Sequence, residues 1–136
     1  MVAAVLLVSQ SAPAQSAASI KQQLQTATFH AGELAQRGAI AATQTHLQHV
    51  VNCLVGAGGT QFNAAPGYPC QGQGNGIIPD LQAAADAGVS GAAKALRFAN
   101  LSLTLALQAQ RMTDVNEAQP FALVISRQLK IASDSL

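Results

Sequence analysis

Apolar residues along this chain recur at intervals of three and four, which predicts helices, and no segment shows the two-residue alternation of a strand. In the first predicted helix the apolar positions are Ile20, Leu24, Ala27, Ala31 and Leu34. Ser19 is its expected N-cap, and Gly38 marks its expected end. A second helix is predicted from Ala39 to Val55, where Gly56 stops it.

The third helical pattern is the longest and the most apolar. It begins at Asp80, and Gly88 and Gly91 can break or kink it before a stretch from Ala92 to Met112. One of its edges is made of small residues at helical spacing: Gly88, Ala92, Ala95, Ala99, Ser102, Ala106 and Ala109. Large apolar residues occupy the other sides. A helix that is apolar nearly all round is central in its fold or buried against a partner.

A fourth helix is predicted after Asn116, its expected N-cap, with Gln119 completing a capping box. The second and third helices are joined by a long segment between Gly56 and Pro79, whose many glycines and prolines cannot sustain a helix. Long loops in compact domains are commonly functional or disordered. The predicted fold is therefore an all-α four-helix bundle with one long Gly-rich crossover loop.

The two cysteines predict that this loop is held in place. Cys53 lies near the end of the second helix and Cys70 lies within the loop. Neither belongs to a Cys-x-x-Cys motif, so we favour a Cys53–Cys70 disulfide over two free thiols or a metal-binding pair. A bridge closing about 16 residues would stabilise the fold by about 3 kcal/mol in the chain-entropy model.

The N-terminal residues resemble a secretory signal. An apolar run over residues 2–8 is followed by Ala12-Pro13-Ala14, which fits cleavage after Ala14. We expect residues 1–14 to be a signal peptide or a retained N-terminal anchor, and residues 15–136 to form a single helical-bundle domain. The predicted disulfide agrees with an extracytoplasmic location, either periplasmic or secreted.

Composition narrows the choice of partner. Only 10% of residues are charged, with 7 basic against 6 acidic side chains, so nucleic-acid binding is not expected. No apolar run is long enough for a transmembrane helix, while peripheral contact with a membrane stays open. The low charge of the third helix and the loop favours a homo-oligomer or a larger protein complex that covers them. The alternative is that Ala, Ser, Thr and Asn form a weakly polar surface that is exposed to solvent and needs no partner.

The histidines supply the candidate chemistry. His46 and His49 share one face of the second helix, and Cys53 continues that face. His30 and Glu33 lie on the first helix, and an antiparallel neighbour would bring His30 to roughly the middle of the helix pair. Whether it reaches the height of His46 or His49 depends on the turn at Gly38. The predicted metal ligands are therefore His46, His49, His30 and Glu33.

Several metals and one prosthetic group suit this set. Neutral imidazoles bind Zn, Cu, Ni or Fe, and non-covalent haem is a weaker alternative. A di-iron carboxylate site is disfavoured, because such sites need about four carboxylates and this chain has only two glutamates, Glu33 and Glu117. The competing interpretation is that the histidines are structural and bind backbone groups of the loop.

Nothing in the sequence predicts catalysis. No Gly-x-Ser-x-Gly motif occurs, and the Gly-rich tract at residues 72–76 lacks the lysine of a phosphate-binding loop. The outline is similar to that of small exported four-helix bundles that bind metal or haem. We therefore expect a non-enzymatic protein with a metal- or haem-binding role. The alternative is an accessory or structural subunit that packs its third helix and loop on a larger assembly.

Overall fold

A computed structural model describes residues 14–136, so all of the proposed N-terminal signal except Ala14 lies outside the described residues. Across residues 14–136 the chain is helical and contains no strand. The helices are α1 (Ala17–Phe29), α2 (Ile40–Val55), α3 (Ile77–Asp86), α4 (Ala92–Ala109) and α5 (Val115–Ser135). A π-helical turn, His30–Leu34, extends α1.

The all-helical class is confirmed, but the described chain has five helices where the sequence predicts four. The third predicted helix is divided in two, because Gly88 and Gly91 both adopt positive φ angles, 74° and 79°, which end α3 and precede α4. Helix α3 also begins at Ile77, before the predicted start at Asp80. Pro79 therefore lies in its first turn, where the missing N–H has no intrahelical partner to lose.

Two predicted N-caps are wrong, each because an earlier polar residue caps the helix instead. Ser16 caps α1, and its hydroxyl accepts from the Ser19 backbone N–H at 3.2 Å. Asp114 caps α5 by accepting from the Asn116 N–H at 2.8 Å, where its negative charge also suits the helix dipole. The predicted capping box does not form, since the Gln119 amide instead reaches the Gly38 carbonyl at 3.4 Å.

The small residues of α4 face the interior. Six of them have no exposed surface: Ala92, Ala95, Ala99, Ser102, Ala106 and Ala109. Helix α4 packs mainly on α5, whose own buried face includes the small residues Ala118, Ala122 and Ala132. Short side chains on both helices let the two backbones approach closely, so this edge is used within the chain. Leu101 lies on the outer side of α4 and is 44% exposed.

The long loop between α2 and α3 begins and ends at nearly the same point. Gly56 has a φ of 70° and Gly76 has a φ of 119°. A Cβ on Gly56 would collide with the Asn75 carbonyl oxygen, and a Cβ on Gly76 would lie 2.7 Å from the Gly56 nitrogen. Only glycine allows this crossing, which closes the loop beside the end of α2.

No helix in the part of the chain that the structure describes combines the length and the apolar character needed to cross a membrane.

We predict that the α4–α5 contact does not tolerate larger side chains. Ala99→Leu places extra methyl groups at a fully buried position and should lower the free energy of unfolding by about 1–3 kcal/mol. Ala93→Leu, on the exposed side of the same helix, should change it by less than about 0.5 kcal/mol. Urea denaturation measures both, and equal effects would contradict the assignment of the buried face.

A second matched pair of variants tests the close contact between the two ends of the loop. Gly72 also has a positive φ, 78°, but nothing lies within 4 Å of a Cβ built there. Gly72→Ala should therefore show backbone strain alone, about 1 kcal/mol. Gly76→Ala should cost more, on the order of 3 kcal/mol, because strain and collision with Gly56 add. If both variants lose the same stability in thermal denaturation, the contact between the loop ends has room for a side chain, contrary to this prediction.

Candidate metal centre

Three histidines from two helical segments meet at one point. His30 is the first residue of the π-helical turn, and His46 and His49 lie three residues apart on α2. The Nδ1 atoms of His30 and His46 are 3.1 Å apart, those of His30 and His49 are 3.1 Å apart, and those of His46 and His49 are 3.3 Å apart. All three side chains are partly buried. The height of His30 relative to His46 and His49, which the sequence leaves open, is such that the three histidines meet.

The π-helical turn is the local feature that carries His30. The carbonyl of His30 accepts from the N–H of Ala35 at 2.8 Å, five residues along the chain rather than four. Within the turn, Gly32 lies against α5, and a Cβ there would be 2.6 Å from the Ser126 hydroxyl. The π-helical turn forms the last turn of this helical segment, which ends at Leu34.

Hydrogen bonds cannot satisfy three mutually adjacent Nδ1 atoms. Each Nδ1 is either protonated, and then a donor, or bare, and then an acceptor. Among three such atoms at least two share the same state, so at least one of the three contacts joins two donors or two acceptors. A cation bound by three bare nitrogens removes that conflict, because all three lone pairs then point at positive charge.

The loop fixes the orientation of one of these rings. Nε2 of His49 lies 2.7 Å from the carbonyl oxygen of Pro66. A carbonyl only accepts, so Nε2 carries the hydrogen, and in the neutral ring Nδ1 is left bare and turned towards the other histidines. Metal-bound histidines commonly donate their second N–H in this way, which holds the tautomer and the ring plane.

The protonation equilibria favour the form that binds metal. Burial, followed by the proximity of His49 and His46, lowers the pKa of His30 from the usual 6.5 to about 4. Burial and the neighbouring His49 also lower the pKa of His46. Both rings are therefore neutral near pH 7, as a metal ligand must be.

The loop that carries Pro66 is anchored to α2 one turn beyond His49. The Cys53–Cys70 disulfide forms as predicted, with both cysteines fully buried. The fully buried amide of Asn52 donates to the carbonyls of Asn63 at 2.6 Å and Gly67 at 2.8 Å, and its oxygen accepts from the Asn63 N–H at 3.0 Å. These bonds bracket Pro66 on both sides.

A second buried anchor holds the far end of the loop. Asp80 is 3% exposed and accepts from the Gln23 amide at 2.8 Å and from the Asn75 N–H at 2.9 Å. Neither Asn52 nor Asp80 is predicted as an anchor from the sequence. In the sequence, both polar residues occur at helical spacing from apolar residues, which indicates that they face the interior. That spacing does not identify a hydrogen-bonding partner distant in the sequence.

The fourth predicted ligand, Glu33, is not part of the histidine group. Its carboxylate lies 3.6 Å from the guanidinium of Arg37, one turn further along, and both side chains are mostly exposed. The spacing of 3.1–3.3 Å between these nitrogens is too short for two of the histidines to bind haem iron from opposite faces.

Comparison with family models, curated proteins and solved structures finds no match for this chain. The chemistry of the site therefore rests on its own geometry.

We predict that the metal-free chain loses stability in mild acid through His30. Its pKa is about 4 in the folded chain, against the ordinary 6.5 of an exposed histidine, so the unfolded chain binds more protons between these values. The free energy of unfolding therefore falls as the pH drops from about 6.5 towards 4. Urea denaturation across this range should show a shallower fall for His30→Gln than for the original chain. Parallel pH profiles would refute the assignment to His30.

Proposed function

We propose that this protein binds a divalent transition-metal ion through Nδ1 of His30, His46 and His49. The observation that carries the proposal is the convergence of three imidazole nitrogens within 3.3 Å of one another. Hydrogen bonding alone leaves one of these contacts repulsive, and the loop orients His49 with its bare nitrogen towards the group. A structural role for the histidines accounts for the Pro66 bond but not for the other two rings.

The spacing suits first-row metals. For a metal–nitrogen distance of about 2.05 Å, these separations correspond to angles of about 98–107° at the metal, close to the tetrahedral value. Zn²⁺ adopts this geometry readily, and Cu, Ni and Fe also bind neutral imidazole. We propose Zn²⁺ as the first ion to test, with Cu²⁺ and Ni²⁺ as competitors.

The proposed setting is extracytoplasmic. The disulfide agrees with an oxidising compartment, and the apolar segment at residues 2–8 followed by Ala12-Pro13-Ala14 fits an export signal. In that setting we propose a non-enzymatic role in metal binding or handling, carried out by a small helical bundle.

A second candidate function is an accessory or structural subunit of a larger assembly or a homo-oligomer. Exposed apolar side chains on the outer surfaces of α4 and α5 favour it: Leu101 at 44%, Leu123 at 38%, Val124 at 42% and Ile131 at 38%. The two functions are compatible, since these residues belong to other helices than the histidines.

We predict that Zn²⁺ stabilises the chain and that each histidine is required. At a free Zn²⁺ concentration about 100 times the dissociation constant, the free energy of unfolding should rise by about 2.7 kcal/mol. His46→Ala or His49→Ala should remove most of that increase, because only two imidazoles would then remain to bind the ion. Calorimetric titration of the tag-free protein and thermal denaturation with and without Zn²⁺ measure the two effects.

Glu33→Gln is the matched control. It removes the carboxylate that pairs with Arg37, so Zn²⁺ affinity should stay within about twofold of the original. Unchanged Zn²⁺ binding in the His46→Ala, His49→Ala double variant would refute the proposed site. Circular dichroism of each variant shows whether the helices remain intact.

A further inference from the structure

The chain supplies three ligands to this centre, and its composition restricts the source of a fourth. In the described residues, the group of metal-binding side chains that come together is His30, His46 and His49, with no cysteine or carboxylate among them. Residues 1–13 contain no His, Cys, Asp or Glu. The chain has three histidines in all, and its two cysteines are joined to each other.

Five of the six side-chain carboxylates have other partners, and the sixth, Glu117, is exposed in the first turn of α5 and is not part of the histidine group. Glu33 pairs with Arg37, and Asp80 is buried with three hydrogen bonds from Gln23 and Asn75. Asp134 lies 2.8 Å from Lys130, and Asp86 accepts from Gln82 at 2.8 Å. Asp114 is committed to the cap of α5. Recruiting any of these five would break an existing contact.

The loop carbonyl beside the centre is also engaged elsewhere. The Pro66 oxygen contacts Nε2 of His49, on the opposite edge of the ring from the Nδ1 atoms that converge. Asn63 and Gly67 direct their carbonyls to Asn52. The bonds that fix the loop thus keep these three oxygens away from the proposed ion.

The ligand set also determines the charge of the centre. Three neutral imidazoles leave the full charge of a divalent ion uncompensated, whereas a cysteine or carboxylate ligand would reduce it. A three-histidine zinc centre with an open fourth position binds water, hydroxide or another small donor there. Negative ligands gain most, because no protein anion is already bound to the metal.

We propose that the metal held by His30, His46 and His49 keeps a coordination position open and binds a small anion there, such as hydroxide or a carboxylate. This inference rests on the proposed metal site. It assigns the ligand class of that site: a small monodentate anion bound directly to the ion.

Co²⁺ is the probe, because it replaces Zn²⁺ in such sites and its visible absorption reports the ligand set. The full chain, freed of metal and loaded with one equivalent of Co²⁺, is titrated with sodium azide while sodium perchlorate holds the ionic strength constant. Azide should shift the visible bands with saturation, and the infrared stretch of azide should move to a metal-bound frequency. Perchlorate alone should leave the bands unchanged.

A matched variant separates binding on the metal from binding to protein charge. Lys130→Gln removes a cation that already pairs with Asp134, so its azide affinity should match the original within about twofold. His49→Ala should abolish the metal-bound azide band together with tight Co²⁺ binding.

The outcomes distinguish the two proposals. Co²⁺ binding with bands that do not respond to azide would overturn the open position and leave the three-histidine site intact. Failure of the original chain to bind Co²⁺, Zn²⁺ or Cu²⁺ would overturn both. A saturable shift that survives in Lys130→Gln supports the anion-binding centre.

Discussion

Three ring nitrogens held within 3.3 Å of one another impose the requirement around which this structure is organised. Neutral imidazoles in that arrangement cannot all be satisfied by each other, so the surrounding chain must hold them together against a local repulsion. Two helical segments supply the positions, through a π-helical turn at His30 and a regular helix at His46 and His49. The loop supplies the orientation of His49 through Pro66. A bound cation would turn this repulsion into attraction.

The loop contains few large apolar side chains that could pack into a core. Buried polar residues hold it in place instead. Asn52 satisfies groups on both sides of Pro66, while Asp80 and Gln23 hold the end that returns to α3. The Cys53–Cys70 disulfide ties the middle of the loop to the same turn of α2 that carries Asn52. Because the loop's ends cross at Gly56 and Gly76, it is fixed at both ends and in the middle.

Periodicity and residue type predict much of this arrangement from the sequence. The all-helical class follows from spacing, the disulfide from the number and context of the cysteines, and the shared face of His46 and His49 from their separation of three residues. The division of α3 from α4 depends on the φ angles of two glycines, which a pattern of apolar residues leaves open. Regular α-helical spacing groups Glu33 with His30, whereas a π-helical turn begins there. Asn52 and Asp80 act through partners distant in sequence.

The anchors of the loop have a chemical character that bears on where such a protein can work. Apart from Asp80, which is buried, they are neutral amides. Asn52 donates to the carbonyls of Asn63 and Gly67, Gln48 donates to the carbonyl of Gln61, and Gln23 donates to Asp80 and accepts from the Gly76 N–H. Exposed ion pairs weaken as salt screens their charges, whereas a hydrogen bond between uncharged groups carries no net charge to screen. We therefore expect the position of His49 to depend little on the salt concentration. A loop held mainly by uncharged groups is thus expected to keep its geometry as the ionic strength changes.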